Sequence, residues 1–311
     1  MKFNLIGVPV NYGCDREGAQ YGPETFRKNN IVDLINNEGH EVCDKGDIKI
    51  PYASNEEKYA SHENLKYLKP IVEYNNSLAD SVNQSLKEGA MPFVMGGDHS
   101  LGMGSIAGAS KHFGEIAVIW IDAHGDINTE DTSPSGNIHG MPLAAAMNVG
   151  NPELTNIYYK GQKVKPENVY ILGARDIDKG EYELAEKVKL NFHTMKTVRE
   201  KGLDNTLKSI IYKINNSNVE GVHLSFDIDA LDKSIVPGTG TAVSEGFSLE
   251  EGKLIFTELI ENVNLTSMDF VELNPVIDDE DNKTVKNCFE LLKHIFHEFK
   301  QYEEESVEYA I

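Results

Sequence analysis

Four aspartates and two histidines stand at the ends of three apolar runs, in spacings that bring them to one cluster. The segments read Gly96-Gly97-Asp98-His99-Ser100, Asp122-Ala123-His124-Gly125-Asp126 and Asp227-Ile228-Asp229. Alternate side chains of an extended chain face the same way, so Asp122, His124 and Asp126 share one side, as do Asp227 and Asp229. Taken singly, each segment has an ordinary reading: an aspartate that caps a helix, or a histidine hydrogen-bonded in a core. Together they follow three β-type stretches, Met91–Met95, Glu115–Ile121 and Gly221–Phe226, at the strand ends where α/β sheets hold their ligands. Burying so much negative charge without compensation is prohibitive. Two divalent cations match the charge of the four carboxylates, and the two imidazoles complete the shells. Oxygen-rich donors with imidazole and no thiolate favour Mn²⁺, with Fe²⁺, Co²⁺ and Ni²⁺ behind it, whereas zinc usually takes fewer carboxylates. Asp122 and Asp227 are the candidates to bridge the ions, with His99 and Asp126 completing one site and His124 and Asp229 the other. Such a pair can share a water and lower its pKa. Carboxylate-rich shells acidify that water less than three imidazoles would, so an alkaline activity optimum is expected.

The elements that position these residues alternate along the chain. Phe3–Val10 reads as a strand and Pro23–Glu38 as a helix, and the amphipathic stretch Pro70–Lys87 precedes the strand Met91–Met95. Ser100 reads as the cap of the next helix. Val169–Leu172, Asn191–Thr194 and Ser267–Leu273 are further strands, with helix patterns at Lys179–Lys189, Asn205–Ile214, Ser248–Asn262 and Thr284–Phe299. Alternation of this kind implies a parallel sheet with helices on both faces. No internal repeat, linker or break in composition divides the chain, so residues 1–311 read as one domain. Glu303-Glu304-Glu305 reads as a frayed, solvated terminus.

The chain has 311 residues, 40% of them hydrophobic and 25% charged, which is ample for a large core. Its formal net charge of −21 argues against nucleic acid or an anionic membrane surface as a partner and favours a cationic ligand. Three cysteines, Cys14, Cys43 and Cys288, with no C-x-x-C spacing, suit a reducing compartment. The first ten residues are too short and mixed for a signal peptide, and no run reaches transmembrane length. The expectation is a cytoplasmic protein.

Beyond the metal-type residues, an ordered set of motifs spans nearly the whole chain. It runs from Leu5-Ile6-Gly7-Val8-Pro9 and Gly18-Ala19-Gln20-Tyr21-Gly22-Pro23 through Gly-Gly-Asp-His-Ser and Asp-Ala-His-Gly-Asp-Ile-Asn to Ser135-Gly136-Asn137-Ile138-His139-Gly140. Gly173-Ala174-Arg175-Asp176-Ile177-Asp178, Ser225-Phe226-Asp227-Ile228-Asp229 and Glu272-Leu273-Asn274-Pro275 complete it. In these motifs the chain resembles the ureohydrolase (arginase/agmatinase) family, and its arginase branch most. The resemblance implies a three-layer α/β/α fold with a mostly parallel eight-stranded sheet and a centre of two Mn²⁺ per subunit on His99, Asp122, His124, Asp126, Asp227 and Asp229. It implies that a metal-bridging hydroxide attacks the guanidinium carbon of L-arginine, giving L-ornithine and urea. Asp126 would also carry a proton to the departing nitrogen. By the same resemblance His139 relays protons and Glu272 pairs with the guanidinium. Asn128, Ser133 and Ser135 are assigned to the α-carboxylate, directly or through water, Asn137 to substrate binding, Asp178 to the α-amino group, Glu181 to a supporting role, and Thr241 to orienting Glu272 or substrate. A homo-oligomer, hexamer or trimer, is implied too.

Agmatine lacks the carboxylate that Asn128 and Ser135 would serve, so agmatinase, or action on another guanidino acid, is the alternative. A related deacetylase chemistry lacks its His-His pair here, and a non-catalytic relative would have lost a ligand, His139 or Glu272. Some positions depart from the family pattern. Ala230 and Lys233 stand where Gly and Pro are usual, Ala242 where Pro is usual, and Ser244-Glu245 where Gly-Gly is common. These departures touch the rim of the site and leave the metal ligands intact. Gly238-Thr239-Gly240-Thr241 lacks the ending of a phosphate loop. His294 and His297 lack zinc-protease spacing, and nothing near Cys14 activates it.

Overall fold

Eight runs become strands of one sheet: β1 (Lys2–Val8), β2 (Glu41–Asp47), β3 (Met91–Gly96), β4 (Ile116–Ile121), β5 (Val169–Leu172), β6 (Asn191–His193), β7 (Gly221–Asp227) and β8 (Leu265–Val271). The structure, a computed structural model, describes residues 1–308 and the side chains of 1–305. The sheet order is β2-β1-β3-β8-β7-β4-β5-β6, and every neighbouring pair is parallel. Every residue of β3, β4 and β7 is buried, as expected of strands covered on both faces. In β4 the faces alternate: Ala117, Ile119 and Ile121 join one apolar cluster, and Ile116, Val118 and Trp120 the other. The first cluster lies under Leu203–Asn215, Leu249–Asn262 and Lys283–Glu308, the second under Leu68–Lys87 and Gly102–Phe113. The result is the expected three-layer α/β/α fold, with the sheet wholly parallel.

The last strand in sequence, β8, inserts between β3 and β7. The four adjacent central strands β3, β8, β7 and β4 therefore carry His99, Glu272, Asp227 and Asp122 at or just beyond their C-terminal ends. One turn of the second layer is packed without slack. A Cβ on Gly102 would lie 2.6 Å from the Trp120 ring, so only glycine lets the helix Gly102–Phe113 sit against that indole.

The structure differs from the sequence reading at four places. β2 carries no apolar signal because it is an edge strand with mostly exposed residues, and its charged sequence is what keeps an edge from pairing further. The stretch read as one helix from Pro23 to Glu38 breaks into Gly22–Lys28 and Ile31–Asn37, because Asn30 takes φ 62°, a left-handed conformation asparagine tolerates. Asp98, not Ser100, caps the turn after β3 by accepting from the Ser100 amide. The acidic residues 303–305 continue the last helix, and Glu303 pairs with the N-terminal ammonium.

Asp98 also ties two loops together. Fully buried, it accepts from Gly13 N at 2.8 Å and from Ser100 N at 3.0 Å. Asp98→Ala should destabilise the protein by about 2–4 kcal/mol, since each buried donor left without an acceptor costs ~1–3 kcal/mol. Urea denaturation measures this, and a loss below ~1 kcal/mol would mean that the loops close without the carboxylate.

Candidate metal centre

His99 leaves β3 on a short turn, and its ring stacks on Trp120 with centroids 3.8 Å apart and planes 8° from parallel. Its Nδ1 lies 3.0 Å from Asp122 Oδ2, 3.3 Å from Asp126 Oδ2 and 3.3 Å from Asp227 Oδ2. Yet this buried nitrogen makes no hydrogen bond of acceptable geometry. The other ring nitrogen explains the arrangement. Nε2 lies 2.8 Å from Ser225 Oγ, which itself donates to Asp269 Oδ2 at 3.2 Å. With its proton committed to Asp269, Ser225 accepts from His99 Nε2–H, and the Nδ1 lone pair faces three carboxylate oxygens. Either a proton or a metal ion must sit at that nitrogen, and the converging carboxylates suit a metal ion.

Asp122 is shared with a second group. His124 Nδ1 lies 3.2 Å from Asp122 Oδ1 and 3.3 Å from Asp229 Oδ2. The donor atoms of His99, Asp122 and Asp227 lie within 4.8 Å of one another, as do those of Asp122, His124 and Asp229. These are two adjacent ligand sets with one common aspartate. Each carboxylate is steered from behind: Trp120 Nε1 donates to Asp122 at 3.0 Å, the Asp229 amide to Asp227 at 2.8 Å, and Thr241 Oγ1 to Asp229 at 2.8 Å.

Protons compete for the same atoms. Burial pulls the His99 and His124 imidazoles down, but the surrounding carboxylates more than reverse this and hold both well above the usual histidine range. Burial, then Asp229 and Asp122, pushes the Asp227 carboxyl well up. Burial, then Asp122, raises Asp126 to about 6.

Above the ligands opens a cleft of about 140 Å³. Of the residues expected to meet substrate, Asn128, Ser133, Ser135, Asn137, Asp178, Glu181, Thr241 and His139 all line it. Asn128 Nδ2 donates to Asp178 Oδ2 at 2.9 Å, and its Oδ1 accepts from Thr132 at 2.9 Å. Glu181 works from beneath, accepting from Ile127 N at 3.1 Å and Asp178 N at 2.9 Å, with its carboxyl pushed up to about 7 by burial and then by Asp126. Glu272 is almost wholly buried below His139. Its Oε1 accepts from His99 N at 3.0 Å and lies 3.2 Å from His139 Nδ1. Glu272 and Asp126 take φ of 65° and 51°, strained values that the packing around them must enforce.

The description "Arginase family" matches residues 1–297. An arginase of Brevibacillus brevis is 42% identical over 293 residues, covering 94% of this chain and 97% of the relative. The solved arginase of Bacillus caldovelox superposes with a TM-score of 0.88 at 38% identity, covering 96% of this chain and 98% of that one. That of Entamoeba histolytica, solved in complex with L-ornithine, gives 0.85 at 33% identity, covering 95% and 97%. This chain belongs to the arginase family.

Against that family pattern, the departures cluster where Arg175 reaches. Its guanidinium donates to the carbonyls of Asp229 at 2.7 Å, Val243 at 2.9 Å and Ser244 at 2.9 Å. The altered rim segment is thus fastened to the backbone of a metal-type aspartate. Glu245, where glycine is common in the family, keeps φ at 64°, so the turn survives the substitution at a cost of about 1–2 kcal/mol. Several working residues were given no role by the sequence: Trp120, Asp269 and Thr132 outside the motifs, and Ser225 and Asp176 inside them, the last at the cleft edge with a carboxylate oxygen 3.9 Å from His124 Nε2. A signal existed for two of them. Trp120 and Ser225 each sit two residues before a ligand aspartate, on the same side of their strands.

Chelation should lower the melting temperature and added Mn²⁺ restore it, each site contributing about 2.7 kcal/mol at 100-fold excess over its Kd. Because binding displaces protons from these raised groups, the stabilisation should weaken as pH falls, with His99, His124 and Asp227 taking up protons before Asp126 does at about 6. Ser225→Ala should weaken metal binding about 10–100-fold by calorimetry; unchanged affinity would refute the orienting role assigned to that hydroxyl.

Proposed function

We propose that this enzyme hydrolyses the guanidinium group of L-arginine to L-ornithine and urea, with two Mn²⁺ held by His99, Asp122, Asp126, Asp227, His124 and Asp229. One observation carries the reading. The cleft joins an acidic floor, where a guanidinium is attracted, to a polar wall of Asn128, Ser133, Ser135 and Asn137, which offers hydrogen bonds to a carboxylate. Only a ligand with a cationic end and an anionic end uses both. The named relatives, all arginases, support the same substrate.

Bound there, the cations would supply water of lowered pKa, acidified less than by an imidazole-rich shell, and a field that stabilises negative charge. The chain's own groups do the rest. Hydrolysis adds water across one C–N bond of the guanidinium, so a proton must pass from the water oxygen to the departing amine. Asp126 stands at the floor of the cleft, where its carboxylate can take that proton from the water oxygen and pass it to the departing nitrogen. His139 is fixed by Glu272, whose charge more than offsets the downward pull of burial on the imidazole. It can therefore hold a proton at the cleft wall and exchange it with solvent. Glu272 spends Oε1 on His139 and the His99 amide; it is buried and outside the cleft lining, so its charge would balance the guanidinium from beneath His139. We also read residues 1–311 as one catalytic domain, supported by the single sheet. The family resemblance supports a cytoplasmic homo-oligomer, trimer or hexamer. The three unpaired cysteines suit that compartment, and among the described residues no helix is long and apolar enough to cross a membrane.

Urea release from arginine and from agmatine, with apo-protein reloaded with Mn²⁺, is the deciding assay. Arginine should be strongly preferred, with more activity at about pH 9.5 than at about pH 7.5, because carboxylate-rich shells acidify water weakly. Preference for agmatine would overturn the carboxylate assignment. Asp126→Asn should lower kcat at least about 100-fold, and full retained activity would sink its proton-transfer role. Asn128→Asp should raise the KM for arginine roughly tenfold through like-charge repulsion while sparing agmatine; equal effects on both would show that Asn128 does not meet the carboxylate.

A further inference from the structure

Asn137, on the cleft wall, is backed by a cluster of Asp15, Lys58 and Lys66, three residues outside the cleft lining that the chemistry above does not use. Asp15 Oδ1 lies 2.8 Å from Lys58 Nζ, and its Oδ2 lies 3.0 Å from Lys66 Nζ. Two ammonium groups on one carboxylate leave a net positive charge there. The Lys66 side chain is only 14% exposed, so that charge is held in place. Its Nζ also donates to Asn137 Oδ1 at 2.7 Å, and its backbone N donates to Gly136 O at 3.0 Å.

The turn that Lys66 grips is built for this contact. Gly136 takes φ 72°, and a Cβ there would lie 2.7 Å from Asn64 O, so the segment leading to Lys66 presses directly on the turn. Ser133 Oγ accepts from Gly136 N at 3.0 Å, and Ser135 Oγ accepts from Asn137 N at 3.2 Å. Asn137 Nδ2 donates to Cys14 O at 3.1 Å, so Lys66 at one end and a carbonyl at the other fix the amide's orientation. Ser133, Ser135 and Asn137 on this wall therefore share one turn that Lys66 grips, while Asn128 is held separately by Asp178 and Thr132. In a chain of net charge −21, beside an acidic floor, an incoming carboxylate needs such an offsetting charge.

We propose that Lys66 is a specificity-determining positioning residue: it fixes the Ser135–Asn137 turn and sets a positive charge behind it, so that this wall accepts the carboxylate end of the substrate. The assignment rests on the proposed hydrolysis of arginine. It singles out Lys66, which touches neither the reacting carbon nor a metal-type residue, as a determinant of arginine over agmatine.

Lys66→Met in the Mn²⁺-loaded enzyme tests it. The KM for arginine and the inhibition constant of ornithine should both rise about tenfold, the scale of one lost charge contact. At saturating arginine, kcat should stay within about twofold, and the inhibition constant of agmatine, which has no carboxylate, should not move. Lys66→Arg, which keeps the charge, should recover most of the loss. A merely structural role would instead lower kcat and weaken agmatine and ornithine alike, and that result would overturn the proposal. If calorimetry shows that Lys66→Met does not fold, Lys66→Gln makes the same comparison. A wild-type enzyme that releases no urea from arginine would bring down the proposed function itself. An arginine-selective wild type with unshifted Lys66 variants would bring down this assignment alone.

Discussion

Everything in this molecule is arranged around negative charge that cannot be left uncompensated. Asp122, Asp227 and Asp229 are nearly or fully buried, with Asp126 close behind, and three of them aim oxygens at one histidine nitrogen. Such a cluster is tolerable only if cations occupy it, or if protons do at acid pH. The sheet order follows from the same requirement. By placing β8 between β3 and β7, the chain gathers four strand ends into one crevice, and residues more than 170 positions apart, such as His99 and Glu272, meet there. A sheet built in sequence order would have spread the same carboxylates over its whole width.

Rigid support is the second consequence. A ligand set works only if its geometry is imposed before the ion arrives, since a metal would otherwise be bound at the expense of ordering the protein. Here the support is layered. Trp120 holds both the His99 ring and the Asp122 carboxylate, and Gly102 allows the helix to hold Trp120. Ser225 sets the His99 tautomer, and Asp269 sets Ser225. The left-handed backbone of Asp126 and Glu272 fits the same picture. A strained backbone persists where its surroundings over-determine it, and here Glu272 is held by His99 and His139 while Asp126 faces His99.

Much of this was legible in the sequence, for physical reasons that also mark where legibility ends. The buried strands announced themselves as apolar runs, and Val169–Leu172 was read to its true ends. Ligand residues were visible because strand periodicity puts i and i+2 on one side, a rule needing no tertiary knowledge. β2 was invisible because an edge strand hides its pairing behind charge, and the break at Asn30 because one left-handed residue leaves no trace in periodicity. Substrate-wall positions came from family resemblance, not from the residues: Ser133 or Asn137 alone is an ordinary loop former. Residues that act through others stayed hidden altogether. Asp269 lies 44 positions from Ser225 and Lys66 lies 71 from Asn137, and no local pattern joins them.

Charge on the cleft is graded rather than uniform, and that grading does what net charge cannot. A chain at −21 attracts any cation, arginine and agmatine alike, so long-range attraction brings both to the entrance without choosing between them. Discrimination has to arise over a few ångströms, where fixed groups see one end of the ligand and not the other. The acidic floor is common to both guanidinium compounds. The far wall differs for them, because its neutral hydroxyls and amides stand between the floor and the Asp15–Lys58–Lys66 cluster, whose one carboxylate faces two ammonium groups. Along this line the carboxylates of the floor give way to neutral donors, and behind those stands a cluster with one more ammonium than carboxylate. A zwitterionic side-chain guanidinium compound is the ligand whose own charges run in the opposite order. Specificity for such a molecule therefore depends on keeping the two poles a fixed distance apart, and that distance is set by loops pinned to a rigid parallel sheet.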